Sequence, residues 1–179
     1  MVHKISYLAK LTDKDMSASN NILNAHSLHE IDDWVKRYPA DQKQSAVLAA
    51  LRIAQHQNNG YLNTELMDAV AEYLSMDKIA VYEVASFYSM YELKPVARHN
   101  IAVCTNVCCM LMGSDSIVNH LEKKLGIKIG ESTPDGRIYL KKEEECLAAC
   151  ASGPMMQVNH KYHTNLTPQK VDEIIDGLE

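Results

Sequence analysis

The sequence predicts an α+β protein in which a helical N-terminal unit is followed by a domain that contains strands. Apolar residues recur at helical spacing through the first half, whereas short strand-like segments bounded by turn residues begin near His99. All five cysteines fall in the second half. We therefore expect an arm over residues 1–26, a unit of four helices over residues 27–94 and a second domain over residues 95–179.

Composition restricts the class of protein. With 46% apolar and 23% charged residues over 179 positions, the chain has the makeup of an ordinary globular protein. The net charge of −5 argues against nucleic acid as the main partner, and no apolar run approaches the roughly 20 residues that span a bilayer. The N-terminus lacks the apolar core of a signal peptide. We expect a cytoplasmic protein, in which cysteines more often bind metal or do redox chemistry than form disulfides.

The first half predicts four helices with short connections. The first is expected to begin at Ser27, where Ser27 and Glu30 have the spacing of a capping box, and to end at Pro39. The second is expected over residues 41–58, the third over residues 64–74, and the fourth from after Asp77 to before Pro95. Each has one apolar face, and short connections favour neighbouring helices that pack together.

The second half alternates strands and helices. A short apolar strand ends at Cys104, and a helix follows after Ser114. Strand-like segments are predicted over residues 127–129, 137–142, 155–158 and 161–163, the last two joined by an Asn159-His160 turn. Thr167 is expected to cap a final helix that opens with Pro168. This order fits a small α+β or thioredoxin-like domain.

Four of the cysteines form two short pairs that are far apart in the sequence. Cys104 and Cys109 are separated by four residues, and Cys146 and Cys150 by three. Two pairs of this kind suit four thiolates that close on one inorganic centre. Iron–sulfur clusters are normally held by four cysteine thiolates, and structural zinc sites also use four, so the residues alone leave both centres open.

Other cysteine chemistries fit the spacing less well. A plant-type ferredoxin has a third cysteine where Met112 stands, and a Rieske centre has histidine where Asn106 stands. The chain contains no C-x-x-C motif, which thioredoxin chemistry requires. Burial of all five cysteines as small apolar side chains is the plain alternative. The spacing from Cys104 also allows Cys108 in place of Cys109, because a C-x3-C pair would mirror the closing one.

The sequence resembles the small thioredoxin-like [2Fe–2S] subunit of NADH:quinone oxidoreductase, respiratory complex I, which is the partner of its flavin subunit. The matching segments extend from about residue 38 to residue 178. They include Tyr38-Pro39 and Val84-Ala85-Ser86-Phe87-Tyr88. The most specific are Cys104-Thr105 through Cys109, Thr133-Pro134-Asp135-Gly136, Glu145-Cys146-Leu147 through Cys150, and Pro154.

The resemblance implies a one-electron carrier in the NADH-oxidising module of that complex. It implies one [2Fe–2S] cluster whose iron is bound by Cys104, Cys109, Cys146 and Cys150, a thioredoxin-like ferredoxin domain around it, and a partner subunit that carries flavin and binds NADH. The chain itself has neither a G-x-G-x-x-G nor a P-loop motif. We expect no direct membrane insertion, and a place at the inner face of the energy-transducing membrane through the complex.

Two alternatives remain open at this stage. Equivalent subunits serve soluble NAD-linked hydrogenases and formate dehydrogenases, and a zinc-stapled interaction module would have no redox role. The chain also departs from the family pattern at two positions: Cys108 stands where a non-cysteine residue such as proline is usual, and Ala148 stands where glycine is usual. The second departure affects a tight backbone turn beside the expected cluster.

Overall fold

A computed structural model of the protein describes residues 22–141 and 146–179. These residues fall into two compact units, the first ending at Leu93 and the second covering Lys94–Glu179. The fold is α+β, with seven α-helices and one four-stranded sheet among the described residues. The predicted arm lies outside them except for residues 22–26, and independent folding of the two units stays a prediction.

The described part of the first unit is helical. Its helices are α1 (Ala25–Val35), α2 (Val47–Gln57), α3 (Thr64–Leu74) and α4 (Lys78–Phe87), with a 3₁₀-helix at Ala40–Ala46. The largest fully buried side chains of this unit include Leu23, Ile31, Leu51, Leu62 and Leu74. They come from the first three helices and the loops that join them, so this unit has an apolar core of its own.

Two details of the predicted helices are wrong. The first helix begins at Ala25 instead of Ser27, because the Asn24 side chain accepts a hydrogen bond of 2.8 Å from the Ser27 N–H and serves as the N-cap. The segment predicted as one helix over residues 41–58 is divided, because Gln42 has non-helical backbone angles (φ −118°, ψ 31°) and the α-helix starts only at Val47. The prediction for residues 64–74 is confirmed.

The second unit is built on one mixed sheet with the strand order β2-β1-β3-β4. Its elements are β1 (His99–Val103), α5 (Val107–Leu111), α6 (Ser114–Leu125), β2 (Ile138–Leu140), a 3₁₀-helix (Cys150–Ser152), β3 (Met156–Val158), β4 (Lys161–His163) and α7 (Pro168–Asp176). β1 and β2 are parallel, so their connection must cross the sheet, and it carries α5 and α6. The other two pairings, β1 with β3 and β3 with β4, are antiparallel.

Most of the predicted elements of this unit are present. The turn between β3 and β4 is made by Asn159 and His160, which both adopt left-handed angles. Thr167 caps α7 by accepting from the Lys170 N–H. The strand predicted at residues 127–129 is wrong, because the backbone N–H groups there donate to glutamate side chains instead of a neighbouring strand.

Apolar side chains from both faces of the sheet form the core of the second unit. The fully or nearly fully buried ones are Ile101, Ile117, Leu121, Ile138, Leu140, Met156, Val171 and Ile175. They fix α6 and α7 against the strands, so the loop that follows β1 is attached to a rigid frame. Over the ranges described, no helix is long and apolar enough to cross a membrane.

Candidate metal centre

The first cysteine pair lies where β1 ends. Cys104 directly follows the last residue of β1 and is 2% exposed. Cys108 and Cys109 are consecutive residues of α5, so their side chains leave the helix about 100° apart. Cys109 is 2% exposed, whereas Cys108 is exposed to solvent. The structure therefore brings Cys109, and not Cys108, into the buried space beside Cys104.

The surroundings of Cys104 favour a negatively charged sulfur. Burial opposes ionisation of this thiol, but backbone N–H groups of Leu147 and Asn106 donate to its Sγ, and the net result is a lowered pKa. The Asn106 side-chain amide also lies 4.0 Å from Cys104 Sγ. Backbone amides that point at a sulfur are the groups that stabilise a thiolate bound to a metal.

Cys109 is the protonated partner in the metal-free chain. Burial, followed by the hydrogen bond to the Cys104 thiolate and the charge of that thiolate, raises the pKa of Cys109 to about 11. Met155 holds both cysteines: its carbonyl accepts from the Cys104 N–H at 3.1 Å, and its own N–H donates to the Cys109 sulfur. The two thiols thus share one proton between them, and both have backbone donors in place for a more negative group.

The second cysteine pair lies on a loop beside the first. Cys146 and Cys150 are both exposed, and Cys150 opens the 3₁₀-helix that ends at Ser152. Leu147, which follows Cys146, donates its backbone N–H to Cys104, and Leu147 and Ala149 pack against Cys104, Cys109 and Met155. Cys150 is also close enough for its charge to raise the pKa of Cys109. The loops of the two pairs are therefore in contact.

Ala148 occupies the middle of this second loop in a left-handed conformation, with φ of +56°. L-residues with a Cβ are disfavoured there by about 1–2 kcal/mol, and glycine is not. The tight turn that was expected at this position is present.

Gly153 leaves room for the Cys109 sulfur. A Cβ built at this position would lie 3.3 Å from Cys109 Sγ and 3.0 Å from Met112 Sδ, so a larger residue would press on both. Neither Gly153 nor Met155 was singled out from the sequence. The only signal for Gly153 was its place before Pro154, and the backbone contacts of Met155 leave no sequence signal at all.

The residues present fit a cluster held by thiolates. Two buried thiols, three backbone N–H donors aimed at their sulfurs and a second cysteine loop in contact with them suit an anionic metal–sulfur group. Within residues 22–141 and 146–179, no group of three or more His, Cys, Asp or Glu side chains is arranged as a metal site. The full set of four cysteine ligands thus stays a prediction.

The fold and the thiol site define a small metal–thiolate protein built on a thioredoxin-like α+β domain. Residues 31–179 match the family model of thioredoxin-like [2Fe–2S] ferredoxins, so the chain belongs to that family. The match includes the whole of the second unit. It confirms the predicted ferredoxin domain and the predicted cofactor, one [2Fe–2S] cluster.

Curated relatives are similar over nearly their whole length. The chain is 43% identical over 159 residues to the component of NADH-quinone oxidoreductase that is named E in Rickettsia felis, covering 89% of this chain and 95% of that protein. It is 41% identical over 149 residues to the component of NADH-quinone oxidoreductase that is named E 2 in Rhizobium meliloti, covering 83% of this chain and 86% of the relative.

A solved structure shares the fold. An NAD⁺-reducing [NiFe]-hydrogenase in the air-oxidised state superimposes with a TM-score of 0.61 at 24% identity. The match covers 74% of this chain and 22% of the hydrogenase chain, so this chain spans about a fifth of that protein's length. At this identity the likeness shows a common fold and carries no functional argument.

Proposed function

We propose that the chain is the one-electron carrier of the NADH-oxidising module of a respiratory NADH:quinone oxidoreductase, where it exchanges electrons with the flavin of a partner subunit. The relatives with that name match along most of both sequences, which supports the same role here. The observation that carries the proposal is the hydrogen bond from the Leu147 backbone to Cys104, because it joins the loops of the two cysteine pairs.

We assign the iron ligands as Cys104, Cys109, Cys146 and Cys150. Four thiolates around two ferric ions and two sulfides leave a charge of about −2, and uptake of one electron makes it about −3. Backbone N–H groups of Leu147, Asn106 and Met155 are placed to offset that charge. When bound, the cluster supplies transfer of one electron at a time.

The remainder of the proposal concerns partners and place. The chain has no phosphate-binding glycine motif, so NADH binding and hydride chemistry belong to the flavin subunit. The helical first unit, predicted as a unit of four helices, serves as a docking surface. Attachment to the inner face of the energy-transducing membrane then comes through the assembled complex.

Metal analysis of protein prepared without oxygen tests the cofactor. The expected result is two irons and two acid-labile sulfides per chain, with a red-brown colour from thiolate-to-iron absorption. One zinc per chain with no labile sulfide, in a colourless protein, would reject the electron-transfer role and favour the zinc-stapled module.

The adjacent cysteines provide a matched pair of variants for the ligand set. Cys109→Ser is expected to lose or strongly perturb the cluster, because a serine oxygen is a harder and poorer iron ligand than a thiolate. Cys108→Ser is expected to keep it, because the Cys108 side chain is exposed. EPR of the reduced variants measures both. Loss of the signal in the Cys108 variant with retention in the Cys109 variant would overturn the assignment.

Reduction by NADH tests the partner. NADH alone should leave the cluster of the isolated chain oxidised, whereas NADH with the co-purified flavin subunit should reduce it within the mixing time of the experiment. Dithionite reduction of the isolated chain is the control for a competent cluster. Direct reduction by NADH without a flavin protein would contradict this division of labour.

A further inference from the structure

Ser114 carries a buried hydroxyl that nothing in the described part of the chain satisfies. The residue is 0% exposed, and its Oγ has no hydrogen-bond partner there. Leaving a hydroxyl buried and unpaired costs about 1–3 kcal/mol, so such a group in a folded protein needs an explanation. An unseen acceptor, either a bound group or an ordered water, is the ordinary one.

The topology of the sheet places this hydroxyl at the cysteine end of β1. β1 and β2 are parallel, so α6, which lies between them in the chain, runs back along the sheet. Its first residue is Ser114, and its N-terminus therefore lies at the edge where β1 ends and Cys104 follows.

The burial pattern of α6 gives the direction in which the hydroxyl points. Ser114, Ile117 and Leu121 are all buried, at the i, i+3 and i+7 spacing of one helix face. Ile117 and Leu121 pack in the same core as Ile101 of β1. Ser114 extends that buried face by one turn, past the strand and toward the space that the cysteines border.

We propose that Ser114 donates a hydrogen bond from Oγ to a sulfur of the [2Fe–2S] site, either a bridging sulfide or a cysteine ligand. This inference rests on the proposed function. The N-terminus of a helix of 12 residues adds its positive dipole at the same place. A donor of this kind stabilises the reduced cluster more than the oxidised one, because reduction adds one negative charge, and so it raises the reduction potential.

The next serine in the helix provides a matched control. Ser116 lies in the same turn, is exposed, and donates from its Oγ to the Gly113 carbonyl at 2.7 Å. Its hydroxyl already has a partner. Ser116→Ala thus removes the same atom from the same turn, without removing an unpaired donor from the buried face.

The test compares Ser114→Ala with Ser116→Ala and the unmodified full chain, each loaded with its cluster. EPR-monitored redox titration should give Ser114→Ala a reduced-to-oxidised ratio about three- to tenfold lower at a fixed solution potential, where tenfold is about 59 mV for one electron. Resonance Raman spectra should show a smaller deuterium shift of the iron–sulfur bands in Ser114→Ala. Ser116→Ala should match the unmodified chain in both measurements.

A second measurement separates a role toward the cluster from a structural one. Without the cluster, Ser114→Ala should unfold at the same or a higher urea concentration than the unmodified chain, because it removes an unpaired buried hydroxyl. A variant that loses iron with that stability intact also supports the proposal. An unchanged potential and deuterium shift would overturn it, as would a clear loss of apo-protein stability. Absence of a [2Fe–2S] signal from the unmodified chain would reject the proposed function instead.

Discussion

Replacing Ala148 by glycine should stabilise the second unit. Ala148 has φ of +56°, where an L-residue costs about 1–2 kcal/mol and glycine costs nothing. Against this, glycine gives the unfolded chain more conformational freedom, which costs about 0.5–1 kcal/mol. The difference is a net gain of about 0.5–1 kcal/mol. For a unit of this size, that corresponds to a rise in melting temperature of about 2–8 °C.

Ala151 is the control for this substitution. It is exposed, lies two residues downstream of Ala149 in the 3₁₀-helix, and is not among the residues with positive φ. Ala151→Gly should therefore lower the free energy of unfolding by about 0.5–1 kcal/mol, through the entropy effect alone. The measurement is urea unfolding of the reduced apo-protein, followed by circular dichroism. Equal destabilisation by both glycines would show that residue 148 is not held in the left-handed region.

Two further substitutions test other contacts. Gly153→Ala should lower the iron content and change the visible circular dichroism while leaving apo-protein stability nearly unchanged, because its Cβ would lie 3.3 Å from Cys109 Sγ, whereas Met112 can move aside; full iron content with an unchanged spectrum would contradict this. Burial and a hydrogen bond to Asp32 raise the pKa of Tyr73 from 10.0 to about 12, so the neutral phenol favours folding, and the stability that it contributes is complete below about pH 10 and lost as the pH rises through 12. Urea unfolding from pH 9 to about pH 12 should show a shallower loss in Tyr73→Phe, and identical slopes would refute the assignment.

Spacing and periodicity predicted much of the fold because the relevant signals are local. The apolar face of residues 64–74 and the Thr167-Pro168 start of α7 each depend on a few neighbouring residues, and both are confirmed. The failures arise where local signals compete. Asn24 precedes Ser27 and is as good a cap, so the helix begins earlier. Residues 127–129 have an apolar pattern, but side-chain carboxylates bind the backbone there.

The site divides in the same way. The cysteine spacing is visible in the sequence, and so is the family pattern that favours Cys109 over Cys108. The donors around the sulfurs are not visible, because they are backbone N–H groups, which every residue except proline possesses. Leu147 and Met155 act through their main chains, so nothing in their side chains marks them. Only the folded arrangement of two distant loops reveals their role.

The same division indicates what controls the electrostatics of this site. The main influences on the pKa values of Cys104 and Cys109 are burial, backbone amides, the Asn106 amide and neighbouring thiols, and none is a charged side chain. Backbone dipoles are fixed by loop conformation, and mobile ions screen such buried interactions much less than they screen surface charges. The reduction potential should therefore respond weakly to ionic strength and to substitution of surface charges. It should respond strongly to changes that move a loop, such as those at Ala148 and Gly153. A site whose field comes from its main chain is adjusted through its turns.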